Sequence, residues 1–170
     1  MKKLIMITIG SLLVGSAVLA DSGDPRVVKS VDLQKYSGVW YDIARKPSFF
    51  QDSCLRSTAE YQVIDDDSIS VKNTCYKSDN KISEIKGIAK ITNLNEPAKL
   101  KVRFNFFAKG DYWISELDEN YEWAVVSGPA KKSLFILSRK APMQKELLDE
   151  ILVLLKSKGF KTDDLIFDQY

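Results

Sequence analysis

Side chains that hold or move charge decide which chemistry a chain can perform. The 170 residues include two cysteines and 23 carboxylates, and no histidine. Without histidine there is no Ser-His-Asp or Cys-His nucleophile and no imidazole to ligate a metal. Most general-base designs at neutral pH are lost with it. Two cysteines alone fall short of the four Cys/His ligands of a structural zinc site, so neither a metal nor a cofactor is expected. What remains is carboxylate or tyrosine chemistry, such as Glu60 or Glu116 with Tyr112, and the pairing of Cys54 with Cys75.

The compartment determines how those cysteines are read. Lys2 and Lys3 form a positive start, residues 4–14 an apolar run, and Val18-Leu19-Ala20 a small-residue cleavage site. The apolar run is too short, and too soon followed by Asp21, for a membrane span. Residues 1–20 are therefore expected to be a signal peptide, with export to the periplasm or beyond. In an oxidising compartment Cys54 and Cys75 read as one disulfide, two separate thiols being the alternative. No cysteine lies next to the cleavage site, so the mature chain is expected to carry no lipid anchor. Setting Lys2 and Lys3 aside from the 25 basic residues leaves a balance with the 23 acidic ones. A balanced surface offers no footing for nucleic acid. Peripheral contact with membrane lipids and a homodimer stay open.

The elements that must position these groups are mostly strands. Residues 21–30 read as a flexible leader, and 31–170 as a single domain. Ala59, Tyr61 and Val63 alternate with polar neighbours, and Ile69, Val71 and Asn73 do the same beyond the turn Asp65-Asp66-Asp67. In KLKVRFNF, Leu100, Val102, Phe104 and Phe106 share one face while Lys99, Lys101, Arg103 and Asn105 share the other, the pattern of one dry and one wet side. Further strands are predicted over 112–117, 121–127, 134–139 and 165–167. Pro142 and Gly159 bracket the one helical pattern, whose stripe of Leu147, Leu148, Ile151, Leu152 and Leu155 predicts packing on the outside of the sheet. Short strands at hairpin spacing specify an all-β, antiparallel sandwich or barrel. If Val63 faces Ile69, then Ser57 faces Cys75. A Cys54–Cys75 bridge then requires the chain to double back or bulge, because Cys54 lies three residues farther out.

Three motifs carry a resemblance to a known family. They are Gly38-Val39-Trp40 at the start of the first strand, Asp118-Glu119-Asn120-Tyr121 between two later strands, and Leu137-Ser138-Arg139 closing the last barrel strand. In this order, with a helix after Arg139, they resemble the lipocalins, especially the bacterial lipocalins and apolipoprotein D. The second motif departs from the family's Thr-Asp-Tyr. The resemblance implies an eight-stranded up-and-down β-barrel, a calyx closed at one end, with a C-terminal α-helix packed outside. It implies that Trp40 plugs the closed end under Arg139, with Gly38 letting the backbone pass close by and Tyr121 completing the motif set.

Carrying the alternation inward, the ligand contacts are expected at Tyr61, Phe104, Phe106, Tyr112, Trp123 and Phe135. Phe49 and Phe50 are expected at the rim of the open end. Arg45, next to that loop, is open either to an acidic head group or to solvent. The implied activity is non-enzymatic binding of a small lipophilic ligand, a fatty acid or lysophospholipid, for lipid handling or storage in the cell envelope. The alternative is a lipid- or isoprenoid-modifying enzyme on the same fold. Glu60 and Glu116 fall on the outward face, which weighs against it.

Overall fold

The computed structural model describes residues 23–48, 51, 53–106 and 108–170. The expected signal peptide and the rim residues Phe49 and Phe50 lie outside the described residues. Eight antiparallel strands follow one another round the sheet: β1 (Gly38–Arg45), β2 (Cys54–Asp65), β3 (Ser68–Lys77), β4 (Ile82–Ile91), β5 (Lys99–Arg103), β6 (Lys109–Leu117), β7 (Trp123–Ser127) and β8 (Leu134–Ser138). β8 returns to β1, and β1 also pairs with β2, so the sheet closes on itself. Closure removes the free edges that an open sheet would expose. A two-residue strand, β9 (Ile166–Phe167), adds to the far end of β1.

Each turn follows from its residues. Val63 does face Ile69 and Ser57 does face Cys75, and the register slips between Cys54 and Arg56. That bulge brings Cys54 to 5.3 Å from Cys75 between Cα atoms, and the two form a disulfide. Asp118 organises the turn between β6 and β7 by accepting from the backbone N–H groups of Asn120 and Glu122 at 2.9 and 3.2 Å. The departure from Thr-Asp-Tyr therefore leaves the turn with a carboxylate that satisfies it.

A short helix, α1 (Leu33–Tyr36), is capped by Asp32 and roofs the closed end. Trp40 and Tyr36 are fully buried there. The Arg139 guanidinium lies 3.8 Å from the Trp40 ring centroid. It donates to the carbonyls of Lys35, Ser37 and Val39 at 2.8, 2.8 and 2.9 Å. Gly38 takes φ +95°, and a Cβ there would stand 3.3 Å from Arg139 Nη1. The glycine is needed for its backbone conformation and for the close passage of the arginine.

The helix α2 (Lys145–Ser157) begins three residues later than the sequence suggests. Pro142 precedes it rather than opening it, and the intervening Met143 packs into the apolar cluster beneath the helix. Its end matches expectation. Gly159 takes φ +76°, Phe160 N–H donates to Leu155 and Gly159 N–H to Lys156, which satisfies the last carbonyls. Ile151 and Leu155 press on Ile43, Val125 and Ile136 outside the barrel. The leader expected to be flexible over 21–30 is held to the barrel from residue 24 on, together with Val31. Asp24 accepts from Ala130 N–H at 2.8 Å, Val28 N–H donates to Ile114 at 3.0 Å, and Val27, Val28 and Val31 pack on the core.

Candidate functional site

Side chains do not fill the whole of the barrel interior. An inner cavity of about 140 Å³ is walled by Tyr61, Val71, Val102, Val126 and Leu137 among others. It shares Asn73, Phe104 and Phe135 with an outer space of about 730 Å³ that widens toward the open end. The outer volume alone falls within the range of small-molecule sites.

The sequence alternation places four of its six expected contacts on this wall, namely Tyr61, Phe104, Tyr112 and Phe135. Phe104 reaches it from just past β5, its N–H donating to Ala108 at 2.8 Å. Gly87 opposite makes room, since a Cβ there would come within 2.8 Å of the Phe104 ring.

Two expectations are corrected. Phe106 does not continue the inward face. β5 stops at Arg103, the chain turns through 104–106, and Phe106 is 86% exposed at the mouth. Trp123 faces outward and packs with Val125 beneath α2, whereas Ala124 and Val126 point to the interior. β7 pairs with β8 without a slip, so alternation from the inward Val126 and Ala124 turns Trp123 outward.

Beneath the cavity three tyrosines form a hydroxyl chain. Tyr36 and Tyr112 lie 2.7 Å apart, and Tyr112 donates to Tyr61 at 2.8 Å. Burial pushes all three phenols well above their ordinary range, so the floor is neutral.

Arg45 meets neither solvent nor a mouth-side head group, correcting both options left open for it. It is 1% exposed. Its guanidinium pairs with Asp168, lies 3.8 Å from Asp42, and donates to the Cys54 carbonyl at 3.0 Å. Asp168 also accepts from Ser57 N–H at 2.6 Å. Asp42 accepts from the Ser57 hydroxyl at 3.1 Å and belongs to the wall of the inner cavity. Burial, with the Asp168 charge added, pushes the Asp42 carboxyl up to about 7, the Arg45 guanidinium offsetting part of that. Asp168 is raised as well, chiefly by burial. Asp42 was legible in principle, because it alternates with Trp40 on the inward face of β1.

The carboxylates of the enzymatic alternative are elsewhere. Glu60 pairs with Lys72 at 2.5 Å across the outer face, and Glu116 pairs with Lys158. Neither is on the cavity wall. Among the described residues no group of His, Cys, Asp and Glu is arranged to hold a metal ion.

A Lipocalin-like domain family model matches residues 31–169. The chain is a lipocalin. It is 36% identical over 171 residues to the outer membrane lipoprotein Blc of Vibrio cholerae, the match covering 99% of each. It is 38% identical over 100 residues to apolipoprotein D of Mus musculus, covering 57% of this chain and 52% of that protein. Insecticyanin of the tobacco hornworm Manduca sexta shares the fold at TM-score 0.71 and 20% identity, with 86% of this chain and 85% of that one covered. Lipocalins are, as a family, binders of small hydrophobic ligands rather than catalysts. The cavity of this lipocalin has the apolar wall and closed floor that such binding requires.

Proposed function

We propose that this lipocalin encloses one elongated apolar ligand, of the fatty acid or lysophospholipid class, for lipid handling or storage in the cell envelope. The observation that carries the proposal is the partly empty barrel, walled by Tyr61, Val71, Val102, Phe104, Val126 and Phe135. Burying about ten methylene groups there contributes roughly 8 kcal/mol gross, before ordering costs, which is compatible with micromolar capture and needs no covalent step. Export is supported by the Cys54–Cys75 disulfide. The Vibrio cholerae relative is named as an outer membrane lipoprotein, which agrees with an envelope role. Its name stands against an unanchored form.

Native mass spectrometry of the protein purified from its producing cell tests the reading. One chain should carry one co-purified lipid, and a Phe135→Asp variant should lose it, because an unpaired charge would sit in an apolar cup. A lipid-free protein whose tryptophan fluorescence shows no saturable response to long-chain lipids would refute it. Lipid turnover into product would favour the enzymatic alternative instead.

A further inference from the structure

The cavity wall carries oxygen acceptors that the protein itself does not satisfy. Asp42, on β1, is 4% exposed, and its Oδ1 has no hydrogen-bond partner. Asn73, on β3, is half-buried, and its Oδ1 is likewise without a partner. Both residues line the inner cavity, on strands separated only by β2. Buried acceptors without donors are costly, and a ligand that supplies the donor recovers that cost.

Charge points the same way. The groups facing Asp42 are Arg45 on its own strand, Ser57 and Tyr61 on β2, and Asp168 and Tyr170 from the C-terminal segment. Within that set a single guanidinium, whose Nε is itself without a partner, answers two carboxylates, and the cluster takes up one more positive charge either as a proton on Asp42 or as an ammonium beside it. Asp111 belongs to both spaces, and in the outer space Glu84 is matched by the cations Lys109 and Lys132. An incoming carboxylate would add negative charge beside Asp42 and offer no donor to the two unpartnered oxygens.

We infer that the ligand is held by a hydrogen-bond-donating terminus, an ammonium first and a neutral hydroxyl second, set against Asp42 and Asn73 beside its apolar chain. The inference rests on the carrier reading and narrows it, disfavouring a free fatty acid. Dodecylamine, dodecan-1-ol and lauric acid present the same chain length with different ends. They can be titrated calorimetrically into the full chain below their aggregation concentrations.

Dodecylamine should bind with one-to-one stoichiometry and about tenfold tighter than lauric acid, the worth of one charge-assisted hydrogen bond, with the alcohol between them. Asp42→Asn should remove the amine's advantage over the alcohol. Asn73→Leu should weaken amine and alcohol several-fold while leaving the acid unchanged, and it decides the matter if Asp42→Asn does not fold. Lauric acid binding as tightly as the amine overturns the inference and leaves the carrier reading intact. So does an amine preference that survives both variants, with ordered water then the partner of these oxygens. Failure of all three chains to bind overturns both.

Discussion

Removing the Asp168 side chain probes the most concentrated set of polar contacts in the barrel. Asp168→Ala takes from Arg45 its paired carboxylate and from Ser57 the acceptor 2.6 Å from its N–H. The guanidinium stays buried, with the Cys54 and Gln51 carbonyls at 3.0 and 3.3 Å and Asp42 at 3.8 Å as its remaining partners. Breaking one side of a buried pair costs about 3–5 kcal/mol. Asp42 returns part of that, since losing the neighbouring negative charge lets it ionise and serve as the counterion. The expected loss is about 3 kcal/mol, and for a domain of this size that lowers Tm by roughly 6–12 °C. Urea unfolding followed by circular dichroism at neutral pH, with the disulfide intact, measures it. A double variant, Arg45→Met with Asp168→Leu, should recover most of the loss, because an apolar pair of similar volume removes the uncompensated charge. A loss below about 1 kcal/mol for Asp168→Ala would refute the reasoning and would mean that water already screens the pair.

Gly38→Ala should cost about 2 kcal/mol in the same assay, because the residue holds φ +95° and the new methyl would press on Arg139. Reducing Cys54–Cys75, which spans 21 residues, should cost about 3 kcal/mol, measured as the shift in urea midpoint with and without dithiothreitol. The Asp42 carboxyl lies above its unfolded value, at about 7, so the folded state binds its proton more tightly than the unfolded chain does. Its contribution to stability is therefore largest at acidic pH below the unfolded value and declines as pH rises toward and through about 7, with Asp168 acting in the same direction. Urea midpoints between about pH 5 and pH 8 should show that decline in the native chain and a smaller one in Asp42→Asn.

Alternation made most of the cylinder legible. Leu100 and Val102 face inward as their spacing requires, and the hairpin register from Val63 and Ile69 correctly implied a bulge or a doubling back at Cys54. It failed where an apolar run hid the parity of a strand or a strand stopped without a compositional signal. Nothing in Phe104-Asn105-Phe106 marks a turn, and the strand ends there because Phe104 and Asn105 close a loop with Ala108 through backbone and side-chain hydrogen bonds. Trp123 was assigned to the interior because Trp123-Ala124-Val125-Val126 is an unbroken apolar run whose order of residues carries no parity. Arg45 and Asp168 are 123 positions apart, and no local pattern could join them. The unsatisfied oxygens of Asp42 and Asn73 lie on faces that periodicity did indicate, but their lack of partners is a property of packing alone.

The pairing of β1 with β2 covers only Gly38–Tyr41, and beyond it the two strands part. The C-terminal segment fills that gap, with Asp168 N–H donating to Ile43, Gln169 N–H to Leu55, and the Tyr170 hydroxyl to Ser57. A chain that has not yet reached residue 168 therefore holds an unzipped seam in which Arg45 lacks its paired carboxylate. Full closure of that seam thus depends on the last residues of the chain to be made.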